Sequence, residues 1–174
     1  TNSDQIDIQN HTYAQGLIYQ KYKKLSEMNP TDSEYYKLKE WIECAVKIPF
    51  NSFKQPNTTN LSQFLIKIKK DLDHELYGMN KVKEELLMAI NQRLINPSNS
   101  DTSIALVGQP GVGKTQLISV LAKILNYQYE HISMGGVNDS SFLAGHSYTY
   151  EGAKPGKIVD SLIKMKCNNG ILFF

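Results

Sequence analysis

The chain has 174 residues, enough for one large or two small domains. Its 41% hydrophobic and 21% charged content is that of an ordinary globular core and surface. A formal net charge of +2 is too small to argue for nucleic acid or an acidic surface as partner. The two cysteines, Cys44 and Cys167, lack metal-ligand spacing and point to a reduced compartment; no run of about 18 apolar residues and no signal peptide is visible.

Residues 1–11 are polar and aperiodic, which predicts a disordered lead-in. From Thr12 to Met28, Tyr13, Leu17, Ile18, Tyr22 and Leu25 recur every three to four residues, an amphipathic helix ended by Asn29-Pro30. Thr31 and Glu34 have capping-box spacing and open a second helix with the stripe Tyr35, Leu38, Trp41, Ile42, Ala45 and Val46, stopping before Pro49. Two such helices form a hairpin that needs a third surface to cover it, so 12–50 is expected to be a helical-bundle segment. Residues 51–60 are polar and read as a linker, the best internal boundary, with Asn60 as N-cap of the next helix. That helix carries Leu61, Phe64, Leu65, Ile68 and Leu72, with Lys67, Lys69 and Lys70 on a solvated face. Tyr77-Gly78-Met79-Asn80 breaks the pattern, and a further helix from Lys81 to Ile95 follows.

Ser103-Ile104-Ala105-Leu106-Val107 is short, apolar and partly β-branched, the pattern of a buried strand. It leads into Gly108-Gln109-Pro110-Gly111-Val112-Gly113-Lys114-Thr115, which fits G-x-x-x-x-G-K-[ST]. A helix from Lys114 to Asn126 follows, with Leu117, Ile118, Leu121, Ile124 and Leu125 at helical spacing. A glycine loop between strand and helix can turn its backbone N–H groups onto phosphate oxygens at the positive helix end. Lys114 is then placed for the β- and γ-phosphates and Thr115 for Mg²⁺, with Gln116 next in the helix's first turn. A second strand is predicted at Tyr127–Ser133, a last helix at Lys157–Cys167 and a third strand from Gly170. The alternation implies α/β architecture, a three-layer fold on a parallel sheet.

Downstream of the loop stand Ile132-Ser133-Met134-Gly135-Gly136-Val137-Asn138-Asp139, Gly145-His146, Thr149-Tyr150, Gly152-Ala153 and Pro155-Gly156-Lys157-Ile158. This series resembles that of Lon, the ATP-dependent serine proteases of the AAA+ class, over roughly Tyr19 to Phe174. Trp41 to Phe50 and Tyr77 to Glu84 also resemble segments of that family. The resemblance implies a P-loop AAA+ large subdomain over 61–174, truncated after its third strand and preceded by the helical segment. It also implies ATP and Mg²⁺ as cofactors, a homo-oligomeric hexameric ring, and unfolded protein as substrate. Nucleic acid and membrane are not expected as partners. The compartment expected is the cytoplasm, with the mitochondrial matrix as alternative.

By the same resemblance Tyr77, Gly78 and Met79 lie against adenine, although an aromatic at a helix break also fits a core position. Tyr150-Glu151 stands where the family has an aromatic-aliphatic pair that grips substrate in the ring's pore, and Glu151 departs from that pair. Gln109 replaces the family's usual Pro, Glu75-Leu76 its Asp-His, and Ser147-Tyr148 its Arg pair. Hydrolysis needs acidic residues after the third strand. In the family they follow the position of Phe173-Phe174, where this sequence stops; Glu130, Asp139 and Asp160 stand at the wrong places to replace them. The start at Thr1 and the apolar end are read as a piece cut from a longer protein. The expectation is the ATP-binding part of a protein unfoldase and serine endopeptidase, inactive as a protease by itself. The alternative is a related nucleotide-binding assembly module without processive unfolding or proteolysis.

Overall fold

Hydrophobic periodicity decides which helix faces meet, and the computed structural model describes the result for residues 2–54, 60–96, 103–146 and 154–174. Residues 1–54 pack with 130–172 and 174 as one unit, and 55–129 with 173 form another.

In the first unit, α1 (Asn2–Glu27) packs on α2 (Ser33–Ala45). Leu38, Ile42 and Ala45 of the predicted stripe are buried, while Val46, one residue past the helix, is exposed. Lys21 places its Nζ 4.9 Å from the centroid of the Trp41 ring, a cation–π contact across the hairpin. Tyr13, Tyr19 and Tyr22 of α1 stay largely exposed, the uncovered face that a two-helix stripe leaves. Two local expectations are corrected. Residues 2–11, expected to be a disordered lead-in, continue α1, since propagating an existing helix fixes one residue per added hydrogen bond and needs no new nucleus. The capping box at Thr31 does not form. The Asn29 side chain instead accepts from the Thr31 N–H at 3.2 Å, and the helix starts two residues later behind Asp32.

The same unit holds α6 (Ser141–Ala144) and α7 (Lys157–Met165), which pack together. Ser161 and Met165 of α7 and Cys167 just beyond it are buried. Lys166 ends α7 in the left-handed region at φ 53°. The turn that follows is laced to residues 50–54. Asn168 N–H donates to Ser52 O at 2.8 Å, and Ser52 Oγ donates to Lys166 O at 2.9 Å. The Asn169 amide pairs with both backbone groups of Lys54, accepting from its N–H at 2.8 Å and donating to its C=O at 2.6 Å. This clasp gives the first part of the expected linker fixed partners and ties the stretch after the hairpin to the turn before the last strand.

Strands β1 (Tyr129–His131) and β2 (Ile171–Phe173) form a parallel two-stranded sheet, joined through α6 and α7. The second and third predicted strands are thus present, each shorter than predicted. The first is not: residues 103–107 pair with no strand among the described residues, and Val107 is 98% exposed. An apolar run of this kind is buried by neighbouring strands on its edges and helices on its faces, not by its own composition.

In the second unit, α3 (Leu61–Glu75) packs on α4 (Asn80–Ile95) and on α5 (Lys114–Leu125). Asn60 caps α3 as predicted, its side chain accepting from Gln63 N–H at 3.2 Å. Ile68, Leu72, Leu76, Leu86, Leu117, Ile118, Leu121, Ala122 and Leu125 are buried and make the core. Each fully buried leucine or isoleucine there contributes about 1.5–3 kcal/mol. The five from α5 hold that helix rigidly behind the loop that precedes it.

Candidate nucleotide site

The N-terminus of α5 carries no side-chain cap, because its N-cap is Gly113. The first backbone hydrogen bond into the helix is Leu117 N–H to Gly113 O at 2.9 Å. The N–H groups of Gly113, Lys114, Thr115 and Gln116 therefore lack i−4 partners and converge at the positive end of a 12-residue helix. Gly113 has φ +89° and Gly111 φ +80°, a left-handed backbone that costs other L-residues about 1–2 kcal/mol. A Cβ at Gly111 would meet no atom within 4 Å. That glycine serves backbone conformation, and the space a side chain there would take is open.

Lys114 Nζ donates to Gly108 O and Gln109 O, each at 2.8 Å. The lysine closes the loop on itself and keeps its ammonium over the same residues whose backbone lines the cradle. Gly108 to Val112 and Thr115 are solvent-exposed, as an anion entering from outside requires. The residues present fit a nucleoside triphosphate with its divalent cation. The loop and first helical turn offer N–H groups, Lys114 an ammonium, and Thr115 a hydroxyl of the type that completes the shell of a phosphate-bound Mg²⁺. When bound, the cation would neutralise charge between phosphates. No cluster of His, Cys, Asp and Glu among the described residues is arranged to hold a metal unaided.

The second group belongs to the same unit. Tyr77 is fully exposed, so its position at the helix break is not the core position that the residue type alone also allowed. A rigid turn presents it: Gly78 has φ +72° and Met79 φ +55°. The Met79 methyl lies 4.0 Å from where a Gly113 Cβ would stand, so this turn abuts the phosphate loop.

The chain resembles known proteins over both groups at once. Residues 104–174 match the model of the "ATPase family associated with various cellular activities (AAA)". Lon protease 1 of Borreliella burgdorferi is 35% identical over 155 residues, covering 89% of this chain and 19% of that protein. Lon protease of Nitratidesulfovibrio vulgaris is 36% identical over 149 residues, 84% of this chain and 17% of that protein. Lon protease homolog 2, peroxisomal, of Oryza sativa subsp. indica is 31% identical over 150 residues, 86% and 16%. The chain is a Lon-like member of the AAA family.

This Lon-like chain spans less than a fifth of the length of these relatives. Its fold is that of a P-loop AAA domain behind a helical segment, which agrees with the α/β class read from the sequence. Tyr150 and Glu151 lie outside the described residues. Their flanks are described: Gly145 and Pro155 form an antiparallel bridge, and His146 N–H donates to Lys154 O at 3.3 Å. Gly156 is buried against the backbone of Leu143, Ala144 and Gly145, leaving no room for a side chain. Sequence reasoning read Gly145 and Gly156 only as parts of a motif; the φ of +84° at Gly145 and the backbone contacts of Gly156 show them bringing 143–146 against 154–156. Asp139 holds a turn at α6, its carboxylate accepting from Ser141 N–H at 2.9 Å and from the Ser141 hydroxyl. These bonds, the hydroxyl's first, hold the carboxyl below its ordinary range. Asp139 is thus a turn former. Burial, then the nearby Asp160, raise the Cys44 thiol against the opposing pull of Lys47, and Cys167 is buried. Cys44 is thereby held toward its thiol form.

Proposed function

We propose that these residues bind ATP with Mg²⁺ and form the nucleotide-binding part of a Lon-like protein unfoldase that feeds a peptidase. The observation that carries this reading is the uncapped N-terminus of α5 behind Gly111 and Gly113, with Lys114 folded over the same loop. Thr115 serves the cation, and Tyr77, Gly78 and Met79 serve the adenine: an exposed ring on a left-handed turn stacks on a flat base without displacing core. Binding orients the triphosphate; it does not by itself cleave it. In-line attack needs, besides the phosphate loop, acids that hold Mg²⁺ and activate water. In the whole protein the site is shared between neighbours of a hexameric ring in an intracellular compartment, and Tyr150, with Glu151 beside it, grips unfolded polypeptide in the pore.

Equilibrium binding of a fluorescent ATP analogue with and without Mg²⁺ tests the reading. Lys114→Ala removes one charge-assisted contact to phosphate, worth about 1.5–3 kcal/mol, and affinity is expected to fall at least tenfold. Unchanged affinity would sink the phosphate-loop assignment.

A further inference from the structure

Lys83 is 3% exposed, on the first turn of α4. An ammonium leaves water at a cost of several kcal/mol unless it is paired and hydrogen-bonded. Here it has two partners: Asp73 Oδ1 at 2.9 Å and Leu76 O at 2.6 Å. Both belong to the end of α3, Asp73 to its last turn and Leu76 to its C-cap. Lys83 therefore bridges the two helices beneath the residues that connect them, Tyr77, Gly78 and Met79. The backbone of Lys83 closes the connection from the other side, its N–H donating to Met79 O at 2.9 Å. Between these ties stand two consecutive left-handed residues, one of them Met79, for which that conformation is costly. The turn persists because the buried ion pair and the Lys83 bonds to the Leu76 and Met79 carbonyls determine it from both ends.

We propose that Lys83 is a positioning residue for nucleobase recognition. It touches no nucleotide. It locks the turn that projects Tyr77 outward and sets the Met79 methyl against Gly113 of the phosphate loop. Base and phosphates are thereby read by two parts with a fixed separation. This rests on the adenine reading given above. The Asp73 carboxylate, half exposed, completes the clamp from the surface.

The test compares ATP with inorganic tripolyphosphate as probes on the same chain, because only the first carries a base. The wild-type chain is expected to prefer ATP. Lys83→Met, which keeps the apolar stem and removes the charge, is expected to lower ATP affinity about tenfold, the loss of one ring contact, and to leave tripolyphosphate affinity unchanged. Asp73→Asn, which keeps a hydrogen-bond acceptor for the Lys83 ammonium and removes the ionic partner, is expected to do the same to a lesser degree and serves where the buried substitution prevents folding. Folded variants that keep the wild-type preference for ATP overturn the proposal, as does an equal loss for both probes. A wild-type chain with equal affinity for the two removes the adenine contact and this role with it. One that binds neither removes the phosphate loop, a separate failure.

Discussion

Asn169→Ala is the sharpest perturbation of the clasp that the fold offers. One side-chain amide satisfies both backbone groups of Lys54, at 2.8 Å and 2.6 Å, in a part-buried setting. Each such bond contributes about 0.5–1.5 kcal/mol net, so losing two costs about 2 kcal/mol, and for a chain of this size the melting temperature falls by about 4–8 °C. The neighbour provides an internal control. Asn168 Nδ2 reaches Phe50 O at 3.4 Å in an exposed position, and Asn168→Ala, which keeps the Asn168 N–H bond to Ser52 O, is expected to cost under about 0.5 kcal/mol. Thermal unfolding measures the difference, and hydrogen exchange locates it: the Lys54 amide should lose protection in Asn169→Ala and keep it in Asn168→Ala. If both variants melt alike and Lys54 exchanges at the wild-type rate in each, the clasp does not hold the stretch after the hairpin.

Two further outcomes are expected. In the assembled protein, Tyr150→Ala should slow protein-stimulated ATP turnover while nucleotide binding stays unchanged; undiminished protein processing would remove Tyr150 from the pore. The Asp139 turn should depend on pH. Its carboxyl is depressed in the folded chain, so its stabilisation is complete above the ordinary carboxylate range, near pH 4, and is lost as pH falls through the lower folded value. The Ser141 amide resonance reports it, and a Ser141 shift that titrates at an unperturbed aspartate pKa would contradict the hydrogen-bonded turn.

Several elements were legible because their cause is local. The stripes of α2, α3 and α5 follow from 3.6-residue periodicity, and Leu38, Leu72 and Leu117 are buried where that period places them. The Asn60 cap and the glycines at 111 and 113 follow from what one side chain, or none, allows the adjacent backbone. The capping box at Thr31 failed because a competing local bond, from Thr31 N–H to Asn29, was equally available to the sequence pattern. The buried role of Lys83 was not legible: a lysine in a polar helical run reads as surface unless its partners, ten residues back at Asp73 and seven back at Leu76, are known.

The glycine loop before α5, the helix faces and the Lon-like series downstream are each encoded by residues within a few positions of one another, and so were readable along the chain. Long-range packing, by contrast, leaves 103–107 without a strand partner among the described residues and sets Tyr77 toward solvent rather than core. It likewise decided that Asn168 and Asn169 fasten residues 50–54. Those outcomes depend on which distant backbone groups find partners, and a pattern of residue types along the chain carries no term for that pairing.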